Sequence, residues 1–289
     1  MMLSVIIPTR NRRASLEQTL AALQTQEQAP RFEIIVIDNG STDTTATLLA
    51  EASTRLPLRS FHEEQPHRGR ARNRGIAEAT GDLAVFIDDD VIVPPHFLAA
   101  HAKTHSDPTN SAVVTGPILN IAAAQERPQP SWYHSSRAFF CTCNASVSLS
   151  ALRQVGGFDE AFHAYGWEDT ELGVRLRKAG LHHRFAWDAY VYHLKPPGWE
   201  SLHAAAQRTR EKARMALLFA SKHPQLRVRL ATGDYALNRW RSALWSAPAI
   251  QPGLVALSEN PRVPQFVRAF ARQQYLDGLY LAELARRPS

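Results

Sequence analysis

Three consecutive carboxylates, Asp88-Asp89-Asp90, follow directly on five apolar residues, Leu83–Ile87. Side-by-side carboxylates raise one another's pKa unless a cation sits among them. A divalent metal is such a cation, and an oxygen-rich ligand set suits Mg²⁺ or Mn²⁺. An acidic turn facing water is the competing reading of the same residues. Other groups stand where chemistry could use them. Asp38 ends the apolar run 32–37, and Glu168-Asp169 opens a stretch with Leu172 and Leu176 in helical register. A carboxylate at a helix N-terminus is held ionised by the helix dipole. By themselves Glu168 and Asp169 read as ordinary helix-start carboxylates. His193, after Tyr190-Val191-Tyr192, is either a structural residue or an imidazole donor to a metal.

The elements that would position these groups read as alternating strands and helices. Residues 3–7, 32–37 and 83–87 are largely apolar runs of strand length, and 58–62 reads as a third strand between the second and the last of them. Between them, 14–26, a segment from Ser41 or Thr42 to about Arg55, and 68–79 read as helices. This is the βαβ pattern of a parallel sheet with helices on both faces. In such sheets ligands bind outside the carboxyl ends of the strands. Topology alone would therefore bring Asp38 and Asp88 to one edge. Further on, 97–103 reads as a short helix, 112–121 as a strand, 139–149 as extended chain and 168–179 as a helix. Ser150 is the expected cap of a short helix, and 185–187 and 190–192 are short extended pieces. After Trp199 the composition changes. Residues 200–222 read as a helix, and the tail as two or three amphipathic helices mixing arginines with Trp240, Phe266, Phe270 and several leucines.

The 289 residues carry 33 basic and 27 acidic side chains, and 44% are hydrophobic. Such a chain is globular, and its basic balance suits anionic partners. No motif that reads DNA or RNA is present, so nucleic acid is not an expected partner. Cys141 and Cys143 are too few for a structural zinc site and read as buried, reduced thiols of a cytoplasmic protein. No stretch reaches the roughly 20 apolar residues of a membrane span, and the first residues lack the basic start of a signal peptide.

Several stretches together resemble the inverting glycosyltransferases of family two, which share the GT-A fold. They are Val5-Ile6-Ile7-Pro8-Thr9-Arg10-Asn11-Arg12, Ile34-Ile35-Val36-Ile37-Asp38-Asn39-Gly40-Ser41-Thr42-Asp43, and Gly69-Arg70-Ala71-Arg72-Asn73-Arg74-Gly75-Ile76 leading to Phe86-Ile87-Asp88-Asp89-Asp90. The last is Gly156-Gly157-Phe158-Asp159-Glu160 with Trp167-Glu168-Asp169-Thr170-Glu171-Leu172. The resemblance implies a Rossmann-like α/β domain over 1–199, with a nucleotide-sugar half (1–110) and an acceptor half (111–199). Residues 200–289 form a helical extension outside it.

By the same resemblance the substrates are a nucleotide-diphosphate sugar, with UDP or dTDP favoured by Asp38, and a glycan or lipid-linked hydroxyl acceptor. The process is surface glycan or polysaccharide synthesis. Pro8, Thr9, Arg12, Asp38, Arg72, Asn73, Asp88 and Asp89 fall to the nucleotide sugar. Asp90 and His193 fall to Mn²⁺ or Mg²⁺. Asp169 is the base, and Glu168 with Trp167 faces the acceptor. Trp132, Tyr133, Tyr165 and Trp199 are other aromatics in or beside the proposed loops; Trp167 is preferred because it adjoins the acidic pair. A partner subunit that binds the donor without catalysis is the alternative. The basic tail suggests peripheral contact with the inner face of a membrane, or a homodimer.

Overall fold

The structure is a computed structural model that describes residues 1–106, 111–135, 138–196, 198 and 200–286, with backbone alone at 239 and 242–245. Trp199 lies outside the described residues. The chain divides into two compact units. One comprises Met1–His163 with Glu168–Pro197, and the other Ala164–Trp167 with Gly198–Ser289.

The first unit opens with β1 (Leu3–Thr9), α1 (Arg13–Gln24), β2 (Phe32–Asp38), α2 (Thr45–Ala52), β3 (Leu58–His62), α3 (Arg68–Glu78) and β4 (Leu83–Ile87). Then come β5 (Val91–Ile92), α4 (Phe97–Thr104), β6 (Ala112–Thr115), β7 (Ile118–Ile121) and β8 (Asn144–Ser148). It closes with α5 (Leu149–Gln154), α6 (Glu168–Lys178), β9 (His182–Phe185) and β10 (Val191–Leu194). Among the described residues, one sheet has seven strands in the order β3-β2-β1-β4-β8-β6-β9. Its first four strands are parallel, and β8 runs antiparallel to both β4 and β6. A second sheet has the order β5-β10-β7.

The apolar strands serve two cores at once, one on each face of the large sheet. Leu3, Val5 and Ile7 pack with Leu16, Leu20 and Leu23 of α1. Ile6 points the other way and joins Ile35, Phe86, Ile76 of α3 and Leu172 of α6. Burial on both faces explains why these strands read as largely apolar runs.

Three boundaries differ from the expectation. The run 112–121 breaks at Gly116-Pro117 into β6 and β7, which lie in different sheets. The extended stretch 139–149 narrows to β8. Ser148, not Ser150, caps α5, its hydroxyl accepting from the Ala151 N–H.

The second unit contains α7 (Leu202–Lys222), α8 (Leu226–Thr232), α9 (Ala236–Trp245), α10 (Gln251–Glu259) and α11 (Gln265–Ala285). Small residues on α7, Ala213 and Ala216, bury against Leu281 and Leu284 of α11. The Arg214 guanidinium donates to Glu283 across the same pair at 2.7 Å. Among the described residues the tail beyond α7 holds four helices where the pattern suggested two or three. Gly233, left-handed at φ +78°, ends α8, and Pro264 stands at the start of α11. Among the described residues no helix is long and apolar enough to cross a membrane.

Candidate active site

Parallel pairing assembles the site edge. Thr9 lies opposite Asp38 in the β1–β2 register, and Ile6 lies opposite Phe86 in β1–β4. The carboxyl ends of three strands therefore deliver Thr9, Asp38 and Asp88 to one rim. The Thr9 hydroxyl donates to Asp89 Oδ2 at 2.7 Å. From the loop after β1, Arg12 Nη1 donates to Asp90 Oδ2 at 2.5 Å and reaches Asp89 Oδ1 at 3.5 Å. Pro8, beside Thr9, pairs with Ile37. Asp38 is buried; its Oδ1 accepts from the Ser41 N–H at 2.9 Å, and its Oδ2 lies 3.1 Å from His62 Nδ1.

The second sheet adds His193. It lies opposite Val91 in β5, so its imidazole reaches back over the acidic loop, with Nε2 3.1 Å from Asp90 Oδ1. Burial would push the Asp90 carboxyl up, but His193 and Arg12 outweigh it and hold it at about 2. Asp89 goes the other way. Its burial exceeds what Arg12 and the Thr9 hydroxyl offset, and its carboxyl rises to about 6.

Arg72 connects this rim to the second acidic group. It projects from α3, whose first turn is capped by His67 Nδ1 accepting the Arg70 N–H. The buried guanidinium donates from Nη1 to Glu168 Oε1 at 3.2 Å and places Nη2 3.6 Å from Asp88 Oδ1. The Phe158 ring lies 5.6 Å from its centre. One cation therefore stands between the acids after β4 and those that open α6. Helix α6 carries Glu168, Asp169 and Glu171 in its first turn and Arg175, Arg177 and Lys178 in its last, matching the helix dipole at both ends. Asp169 Oδ1 accepts from the Thr170 N–H at 2.6 Å. Asp169 keeps some solvent contact, yet enclosure by protein and the neighbouring Glu168 charge push its carboxyl up to about 6.

Two expected residues are placed differently from the rest. Asn73 spends its amide on the loop after α5: Nδ2 donates to the Phe158 carbonyl at 2.9 Å, and Oδ1 accepts the Phe158 N–H at 2.7 Å. Trp167 belongs to the second unit. Its indole stacks on Phe219 with centroids 5.6 Å apart, and its N–H donates to the Lys212 carbonyl at 3.0 Å. Its backbone is left-handed at φ +73°, a costly state for a bulky residue.

The donor chemistry here fits a divalent cation. Asp90 Oδ1 is buried and accepts no aligned hydrogen bond, although the His193 imidazole is 3.1 Å away. Donor atoms of Asp88, Cys143 and His193 also lie within 4.8 Å of one another. Cys143, expected above as a buried thiol, is buried and meets Asp88 and His193 as well. Its neighbours come from β4 and β10, and no local motif signals that meeting.

Behind the rim, β8 is held by a directional chain of hydrogen bonds. Asn144 Nδ2 donates to the carbonyls of Ala189 (2.7 Å) and Pro117 (3.2 Å). Its Oδ1 must then accept, so His101 Nε2, at 3.0 Å, carries the proton. His101 Nδ1 in turn accepts from Ser146 Oγ at 2.8 Å, and Ser146 Oγ accepts from His105 Nε2 at 2.9 Å. Burial keeps both imidazoles neutral, at about 3 for His101 and about 4 for His105. The chain ties the starts of β7 and β10 to β8.

The model of the family described as glycosyl transferase family 2 matches residues 4–158. The chain belongs to this family. A second family model, described as the N-terminal domain of galactosyltransferase, matches residues 124–195. Among curated relatives of this family 2 member, validoxylamine A glucosyltransferase of Streptomyces hygroscopicus subsp. limoneus is 31% identical, over 78% of this chain and 57% of the relative. Chondroitin synthase of Pasteurella multocida is 29% identical, over 69% of this chain and 25% of the relative. The chain thus spans less than two thirds of the length of the curated relatives it matches. Among solved structures, the mannosyltransferase PcManGT from Pyrobaculum calidifontis, in complex with GDP-Man and Mn²⁺, superposes with a TM-score of 0.65 at 19% identity, covering 98% of this chain and 85% of that one. TarS 1–349 of S. aureus, in complex with UDP-GlcNAc, gives 0.60 at 19% identity, covering 99% and 91%. At that identity the likeness speaks for the fold, which is GT-A.

Proposed function

We propose that this family 2 member is a metal-dependent, inverting glycosyltransferase. It moves a sugar from a nucleotide-diphosphate sugar to the hydroxyl of a glycan or lipid-linked acceptor, in the building of a surface glycan. The observation that carries this reading is the Arg72 bridge. It sets the donor-side acid Asp88 and the acceptor-side acid Glu168 on one guanidinium, as a transfer between two substrates in one cleft requires. The relatives named as transferases, and the UDP-GlcNAc and GDP-Man bound by the structural neighbours, support a nucleotide-sugar donor.

In this reading Asp38 accepts from the N–H of a uracil or thymine ring, since its carboxylate has lone pairs beyond those used by Ser41 and His62. Pro8, Thr9 and Arg12 line the base and ribose. Asp88, with Arg72 beside it, faces the ribose and phosphates, and Asp89 secures Thr9 and Arg12 beneath them. Asn73 contributes as the brace of the loop at Phe158. Asp90 and His193 would hold a divalent cation of the Mn²⁺ or Mg²⁺ kind, which would supply positive charge for the departing diphosphate. Asp169 takes the proton of the acceptor hydroxyl while that oxygen attacks the anomeric carbon. The bond from that carbon to the diphosphate oxygen breaks, its electron pair leaves with the nucleotide, and the anomeric configuration inverts. Glu168 orients the acceptor.

Asp169→Asn keeps the shape of the side chain and removes the base. Transfer falls by about 10²–10⁴-fold, while a thermal-shift screen still reports the same nucleotide sugar, with its dependence on Mn²⁺. Unchanged transfer would remove Asp169 from the mechanism. Donor binding without turnover in the native chain would favour a non-catalytic partner subunit.

The second unit serves a different end. Residues 198–289 carry 14 Lys and Arg against 6 Asp and Glu, which leaves 19 against 21 for residues 1–197. On it Leu226, Leu230, Leu237, Trp240, Phe266 and Phe270 are exposed. Apolar side chains set among arginines suit the face of an anionic membrane.

A further inference from the structure

Three donors of different kinds meet beside the acidic loop. Asp88 comes from the end of β4, His193 from β10 in the second sheet, and Cys143 from the turn that enters β8. Antiparallel pairing of β4 with β8 sets Asn144 opposite Ile87, and so brings the residue before Asn144 alongside the residue after Ile87. The ligand atoms of the three residues all lie within 4.8 Å of one another. In a tetrahedral site with bonds of about 2.0–2.3 Å, donors stand roughly 3.3–3.8 Å apart. The three donors are therefore within about 1–1.5 Å of that spacing. A separate observation points to the same spot. Asp90 Oδ1 is buried against the His193 imidazole and accepts no aligned hydrogen bond, which leaves a lone pair that a cation satisfies. Cys143 also belongs to the buried apolar cluster that holds Ile87 and Val191.

We propose that Cys143 is a further ligand of the metal assigned above to Asp90 and His193, with Asp88 beside it, and that its thiolate gives the site a preference for borderline cations such as Zn²⁺ and Co²⁺ over Mg²⁺. The proposal rests on the metal-dependent reading above. Thiolate is a soft donor that oxygen-only sites lack, and imidazole with thiolate is a set that zinc and cobalt favour and magnesium does not. On binding, the thiol gives its proton to solvent and the sulfur lone pair bonds the cation.

The full chain is titrated with Co²⁺ and followed in the near-ultraviolet, where sulfur-to-cobalt charge transfer absorbs. Calorimetry on the same samples reports binding whatever the ligands. The native chain and Cys141→Ser show the band at one equivalent, and Cys143→Ser loses it. The ratio of Mg²⁺ to Zn²⁺ dissociation constants falls at least tenfold in Cys143→Ser. Binding of Co²⁺ to the native chain with no sulfur band overturns the assignment of Cys143 and leaves metal dependence standing. So does a band that survives in Cys143→Ser. Absence of any calorimetric binding overturns both. If Cys143→Ser fails to fold, the Cys141→Ser spectrum decides the matter, because Cys143 is then the one thiol left in the chain.

Discussion

Asp169 and Arg72 bind their roles together at the level of single side chains. Burial and the Glu168 charge raise the Asp169 carboxyl to about 6, and the nearby Arg72 charge opposes that rise. A base must be ionised to accept a proton, so transfer is lost as pH falls through about 6. An ordinary aspartate would hold on to about 4. The acid limb of the kcat profile is therefore expected near pH 6, and a limb near 4 would show that Asp169 is not the group reported. Arg72→Gln removes the opposing charge. The acid limb then moves to higher pH, because the acidic pair loses the cation that stabilised its ionised form. The same change leaves Glu168, almost fully buried, without its guanidinium. Breaking a buried pair costs about 3–5 kcal/mol, so a fall in Tm accompanies the shifted limb. Arg72→Lys does not rescue both contacts, since one ammonium cannot reproduce the fork that addresses Glu168 and Asp88.

Between elements, the tightest junction is where β6 leaves the large sheet and β7 enters the small one. A Cβ on Gly116 would lie 1.7 Å from the Ala189 carbonyl oxygen and 2.9 Å from Asn144 Nδ2. Gly116→Ala therefore pushes on the start of β10, the strand that carries His193. Overpacking of this kind costs about 1–3 kcal/mol, read as a lower Tm, and metal affinity drops with it because His193 shifts from Asp90. Retained metal affinity in a destabilised Gly116→Ala would uncouple the junction from the site. Nothing in the sequence around Gly116 announces this role, since Gly116-Pro117 sits inside an apolar run that reads as one strand. The parallel half of the fold was legible for the opposite reason. Strands β1, β2 and β4 are buried on both faces, their runs are apolar apart from Ser4 and Glu33, which bond each other, and acids stand directly at the ends of β2 and β4. The rim residues Thr9, Arg12 and Asp88 to Asp90 followed from that pattern and from the family resemblance. Arg72 as a bridge, Cys143 beside Asp88 and the His101–Asn144 chain did not. Each depends on contacts between elements far apart in sequence, and local periodicity carries no trace of them.

Across the whole molecule, charge is divided between the units. The positive excess lies in residues 198–289, while residues 1–197 are close to neutral. The helical unit pairs some of its arginines internally, as in Arg214–Glu283 and Arg208–Glu200, but six acids cannot neutralise fourteen bases. Leu226 and Leu230 stand four residues apart on α8, as do Phe266 and Phe270 on α11, so each pair forms an exposed apolar stripe. Near an anionic bilayer each basic residue contributes about 1 kcal/mol, and the contribution is screened by salt. Burial of the stripes is not screened. Flotation of the full chain with vesicles containing phosphatidylglycerol should therefore recover it in the floating fraction, with less recovered as salt rises toward about 1 M. Neutral phosphatidylcholine vesicles should leave most of it behind. Trp240→Glu with Phe266→Glu should abolish flotation on both while sedimentation velocity and donor-induced thermal shift stay unchanged. Equal recovery in the supernatant for both vesicle types would end the membrane reading, and a concentration-dependent shift to a dimer in sedimentation, lost in the same variant, would assign the apolar stripes to a second copy of the chain.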